Sequence, residues 1–160
     1  MSERRERAAI ARGRQGYVLR IAPQERALVV RLLDELSELL SSPAGQPATA
    51  RLFPVVHPDD ADREAEYQRL MRDELVTSRL AGIEVVKGAL EGSAKKVTLT
   101  EDQLGSLMQA VNGVRLVLGT ILEVSEDDEV DDIEEHVPEY QLYAYLSWLL
   151  DSAVVAASSP

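Results

Sequence analysis

Residues 64–90 contain no proline, and at the rise of an α-helix this stretch spans about 40 Å. Its apolar positions are Tyr67, Leu70, Met71, Leu75, Val76, Leu80, Ile83, Val85, Val86 and Leu90, and they cover more than half of the helical circumference. A surface helix needs only one apolar stripe. The pattern therefore predicts a long central helix with neighbours on two sides. Asp59 or Asp60 opens it, since either carboxylate can accept hydrogen bonds from the free N–H groups of a first turn.

Three further helices account for most of the rest. Pro23 suits a helix N-terminus, where its missing N–H would be unpaired anyway. After it, Leu28, Val29, Leu32, Leu33, Leu36, Leu39 and Leu40 fall within an arc of roughly 140°, with Asp34, Glu35 and Glu38 outside it. That helix ends at Ser41-Ser42-Pro43. A proline-punctuated connector, 45–58, follows, and its Leu52, Phe53, Val55 and Val56 are expected to dock on the core. Thr100 followed by Gln103 is a capping box opening a third helix, with Leu104, Leu107, Met108, Val111, Leu118, Ile121 and Leu122 on one face. A fourth starts around Pro138 and carries Leu142, Leu146, Leu149, Leu150 and Val154, with 157–160 expected as a frayed tail. Segments 17–21 and 96–99 alternate in the manner of strands and pair as a minimal two-stranded ribbon. The fold class is predominantly all-α: four main helices in a single domain over 16–156.

Composition limits the chemistry. The 160 residues are 45% hydrophobic but include only five Tyr, one Trp and one Phe, so the core must be aliphatic. There is no cysteine, which excludes disulfides, thiolate metal sites, nucleophilic thiols and redox sensing by the protein's own sulfur. Net charge is −11, yet residues 1–20 hold six Arg against two Glu and stand at +4, leaving −15 for the remainder. Residues 1–15 are expected as a flexible basic arm whose Arg4, Arg5, Arg7, Arg12 and Arg14 could neutralise phosphates of a nucleic acid, against the acidic field of the rest. Eight carboxylates lie in 126–135, interrupted only by Val130 and Ile133, and 124–137 reads as an acidic loop. The opening residues lack the apolar core of a signal peptide and no apolar run approaches 18 residues, so the expected location is the cytoplasm, without a membrane partner.

Arg115 is the most informative polar residue. Its helical phase lies within about 20° of Leu104 and Leu122, on the apolar face of the third helix. A guanidinium there must be paired or reach out to water. The expectation is a structural polar pin shared with Asn112 and paired with Glu74 or Asp151; the sharper alternative is an anchor for an anionic ligand. His57, in an Asp-rich turn, and His136, beside Glu134, Glu135 and Glu139, lack the spacing of a zinc site, and the carboxylate run is not an EF-hand. Ser106 stands in no nucleophile elbow. No catalytic residue, metal or cofactor is therefore expected. Four aromatics over nine residues, Tyr140, Tyr143, Tyr145 and Trp148, cannot all face one side of a helix, and they are the candidate interface for a protein partner or for a second copy of the chain.

Four segments together resemble a known family. They are Ala50-Arg-Leu-Phe-Pro54 before an acidic turn and long helix, Leu99-Thr-Glu-Asp-Gln103, Ala110-Val-Asn-Gly-Val-Arg-Leu-Val-Leu-Gly-Thr120, and Tyr145-Leu-Ser-Trp-Leu149. They are similar to the actinobacterial AosR-like oxidative-stress regulators, long filed as a domain of unknown function. The resemblance covers 16–155, and Asn112, Arg115, Leu118, Gly119 and Thr120 are its most specific part. It implies a non-enzymatic regulator of transcription in oxidative stress and sulfur metabolism, acting through protein partners such as the transcription machinery. Genes of this group commonly neighbour those for the ClpS adaptor and cysteine biosynthesis. Redox sensing attributed to the group uses cysteines, and here there are none. The alternative function is a DNA-binding regulator that uses the Arg arm.

Overall fold

The computed structural model describes residues 8–42, 47–92, 96–122 and 138–158. Its elements run β1 (Ile10–Gly13), β2 (Gly16–Leu19), α1 (Pro23–Leu40), a 3-10 helix (Pro47–Leu52), α2 (Ala61–Leu90), β3 (Val97–Leu99), α3 (Glu101–Ile121) and α4 (Pro138–Ser158). The chain is mainly helical with a small antiparallel sheet, as its periodicity implies. The acidic loop 124–137, with His136, lies outside the described residues, as do Arg4, Arg5 and Arg7.

Local chemistry sets the helix ends. Asp60 caps α2, its Oδ1 accepting from the Arg63 N–H at 3.1 Å. Thr100 and Gln103 form the full capping box of α3: Thr100 Oγ1 accepts from the Gln103 N–H at 3.1 Å, and Gln103 Oε1 accepts from the Thr100 N–H at 2.9 Å. At the far end of the chain α4 continues to Ser158 rather than fraying from 157, because Ala153 and Ala156 still pack into the core.

The ribbon forms with β2 antiparallel to β3, Tyr17 opposite Leu99 and Leu19 opposite Val97. A third strand joins it from residues expected to belong to the arm: β1 pairs with β2, Ile10 opposite Leu19 and Arg12 opposite Tyr17. The arm becomes ordered here because the chain reverses at Arg14 and Gln15, and because Ile10 and Ala9 are buried beneath α4. The Ala9 N–H donates to Ser152 Oγ at 3.4 Å. Gly16 is required for this arrangement: its φ is +137°, and a Cβ there would run into the carbonyl oxygen of Leu99.

The longest helix is not the middle of the molecule. α2 does have neighbours on two sides, α1 and α3, but its buried residues are only Ile83, Val86 and Leu90. Its first two thirds extend along the connector, leaving Tyr67, Met71 and Leu75 half-buried and Leu70 exposed. The centre is α3, which packs against α1, α2, α4, the 3-10 helix, β2 and β3. It is the one helix among the described residues long and apolar enough to cross a membrane by composition. Here that apolarity serves contact with its neighbours.

Two glycine substitutions should act in opposite directions. Gly16→Ala forces a positive φ on a side chain and collides with β3, and should cost at least about 2 kcal/mol in urea denaturation. Gly105 lies in α3 with nothing near a new Cβ, and Gly105→Ala should stabilise by about 0.5–1 kcal/mol.

Candidate functional site

Arg115 is half-buried near the C-terminal end of α3. Its Nε donates to Asn112 Oδ1 at 3.4 Å, one turn back, and its guanidinium carbon lies 5.8 Å from the centre of the Tyr143 ring on α4. Among the described residues it forms no ion pair with Glu74 or Asp151, contrary to the expected pairing. An aromatic face takes the place of the carboxylate. Gly119 makes room for this arrangement, since a Cβ there would stand 3.0 Å from Arg51 Nη1 and 3.4 Å from Tyr143 Cε2. Helix phase places Arg115 on α3 but cannot say which residues of α4 meet it. The charged side chain that is buried is Arg26. Sequence reasoning passed over it, although its i+3 and i+7 spacing to Val29 and Leu33 puts it in the apolar arc of α1.

None of the four α4 aromatics stands free. Tyr140 Oη lies 3.5 Å from the Leu122 carbonyl oxygen, and Tyr143 faces Arg115. Tyr145 donates its hydroxyl proton to Glu25 Oε2 at 3.1 Å, tying α4 to α1, and its ring tilts against Trp148 at 5.7 Å. All four are half-buried. The exposed apolar side chains of α4 are instead Val154 and Val155.

The connector behaves differently from its sequence expectation. Leu52 and Phe53 are buried, with the Arg72 guanidinium 4.1 Å over the Phe53 ring. Val55 and Val56 point outward, 63% and 48% exposed. The cause is Glu64, in the first turn of α2. Its Oε1 accepts from the N–H groups of both Val56 (2.7 Å) and His57 (2.8 Å), and its Oε2 accepts from Gln68 Nε2 (3.0 Å). Held by its backbone, the turn presents its side chains to solvent. The His57 ring packs edge-on against Tyr67 at 5.8 Å, an arrangement that uses the histidine as a wall. The His57 N–H, then Gln68 and the Val56 N–H hold the Glu64 carboxyl below its ordinary range.

A notch enclosing about 10 Å³, room for a single water, lies between α1, α2 and α3 beside Arg79, Ser106 and Gln109. No group of three or more His, Asp or Glu able to hold a metal occurs among the described residues. Arg12 and Arg14 are exposed on the β1–β2 hairpin.

Two measurements check these arrangements. Burial, reinforced by the Glu25 carboxylate, pushes the Tyr145 phenol above its usual range. The folded chain keeps a proton that the unfolded chain releases, so this contribution is intact below about pH 10 and declines above it. Tyr145→Phe should lose about 1 kcal/mol at neutral pH and flatten the alkaline decline in a denaturation series. For Glu64 the sign is opposite: its bracket persists above the ordinary carboxyl value and releases as pH falls through the depressed one. A side-chain carboxyl NMR titration should place its midpoint below 4.5.

No curated protein and no solved structure is significantly similar to the chain. One family does match, over residues 6–157, and it takes in every element from β1 to α4 except the last residue of that helix. The chain belongs to the family described as Domain of unknown function (DUF2017).

Proposed function

We propose that the protein is a non-enzymatic regulatory protein that acts by binding another protein, in the manner of the oxidative-stress regulators its motifs resemble and without cysteine-based sensing. The observation that carries this reading is the pair Val55 and Val56, exposed yet fixed in place by the Glu64 carboxylate. Apolar side chains on a rigid support lose little conformational freedom when a partner covers them. Asp59, Asp60, Asp62 and Glu66 surround the same turn and are exposed. A partner of matching chemistry has an apolar cleft with a basic rim, and the carboxylates speed its approach. A component of the transcription machinery is the partner the resemblance brings to this surface.

The second reading, DNA binding, draws on Arg12, Arg14 and Arg20, all exposed on or beside the hairpin. Its mark is a duplex affinity that falls steeply with salt.

Val55→Asp/Val56→Asp separates the two. The double variant should melt within a few degrees of the parent, because both side chains are in water. Affinity capture from the native host should then lose its specific partner at least tenfold, while duplex binding at low salt is unchanged. A partner captured equally by both proteins would overturn the assignment of this surface.

A further inference from the structure

The notch between α1, α2 and α3 is small, but its lining is chemically one-sided. Leu36, Gly82, Ile83 and Ala110 are its apolar lining. The polar residues lining it are Arg79, Ser106 and Gln109. All three can donate hydrogen bonds. Arg79 Nε is buried and has no hydrogen-bond partner, and neither Ser106 nor Gln109 uses its side chain on any other residue.

Arg79 is held there by its surroundings. Its Nη1 lies against α3 at Gly113, 3.7 Å from where a Cβ would be, and Leu36 packs at the same glycine. Half-buried, the group is pushed below its usual basicity by desolvation alone, with no carboxylate near enough to oppose the shift. A cation taken partly out of water, without an internal acid, is a destabilising feature unless something outside supplies the negative charge. A carboxylate matches the fork of a guanidinium and can accept from the hydroxyl and the amide at the same time. The notch itself holds no more than a single water but is open to solvent, so a carboxylate would meet these groups at its mouth while the remainder of its carrier stays in solvent.

We propose that Arg79, Ser106 and Gln109 form a receptor for a single carboxylate group, supplied either by a small carboxylic acid or by an acidic side chain of a protein. It is separate in place from the Val55 and Val56 surface and in charge preference from a basic partner, so either proposal can fail while the other stands.

The test uses the full chain and sodium acetate as the probe. The arginine Nε–H signal of Arg79, identified by its loss in Arg79→Met, should move saturably with acetate, with half-saturation in the millimolar range. Sodium chloride at equal ionic strength should not reproduce the movement. The Arg72 signal is the internal control: its Nη2 is also buried without a partner, but it covers Phe53 and does not line the notch. Gln109→Leu, at an exposed helical position, should weaken acetate binding at least threefold with the fold intact. Arg79→Met should melt close to the parent, since no internal partner is lost. A blocked glutamate peptide that binds more tightly than acetate assigns the source to a protein side chain; acetate binding as tightly or more so assigns it to a free acid. An Arg79 response that is linear in acetate, equal in chloride, or indifferent to Gln109→Leu would falsify the receptor.

Discussion

Helix α3 is enclosed for half its length: between residues 110 and 120 no side chain is exposed. Leu104, Leu107, Val111, Val114 and Val117 are buried, and so are the positions of Gly113 and Gly119. An apolar helix closed in this way must have partners all round it, and α1, α2, α4, the 3-10 helix and the sheet are those partners. The two glycines matter as much as the leucines. At Gly113, Leu36 and Leu52 come within 3.2 and 3.9 Å of where a Cβ would lie, and at Gly119 Arg51 and Tyr143 do the same. The missing side chain at Gly113 makes room for Leu36, and the one at Gly119 lets the Arg51 guanidinium lie against the helix.

That packing also explains why cations in this acidic chain sit against apolar and aromatic groups. Arg72 lies over Phe53 and Arg115 faces Tyr143, and Arg79 rests beside Gly113. The planar guanidinium is weakly hydrated and stacks on ring faces, so it tolerates such places better than an ammonium would. The ion pairs of Arg69 with Glu66 and of Lys87 with Asp34 are exposed on at least one side, and such pairs contribute little to stability. Aliphatic burial carries the fold, and the charges decorate it. Several of the few aromatics make a polar contact as well: Tyr145 with Glu25, Tyr143 under Arg115 and Phe53 under Arg72.

Much of the architecture was legible before any coordinates. The Asp60 cap, the Thr100 and Gln103 box, the helix opening at Pro23 and the β2–β3 pairing all follow from chemistry within a few residues of one another, or from strict alternation. What failed was inference across distance. A wide apolar arc on α2 suggested a central helix, yet the arc exists because different thirds of that helix meet different things: α1 and α3 at one end, the connector at the other. Val55 and Val56 looked like core residues by composition, and a carboxylate eight and nine positions later turns them out. Nothing in the local pattern of 54–57 reports that Glu64 will accept from its backbone.

The sequence alone determined the helices, most of their ends, the aliphatic character of the core and the absence of thiol chemistry. These depend on nearest neighbours along the chain, on periodicity or on composition, and each is read without knowing what packs where. Only the tertiary structure decided which helix is enclosed, where β1 finds its partner, which cations are left without an acid, and which apolar side chains remain in water. Those outcomes arise from close approach between residues far apart in sequence, and the space available at Gly113 and Gly119 sets how close that approach can be.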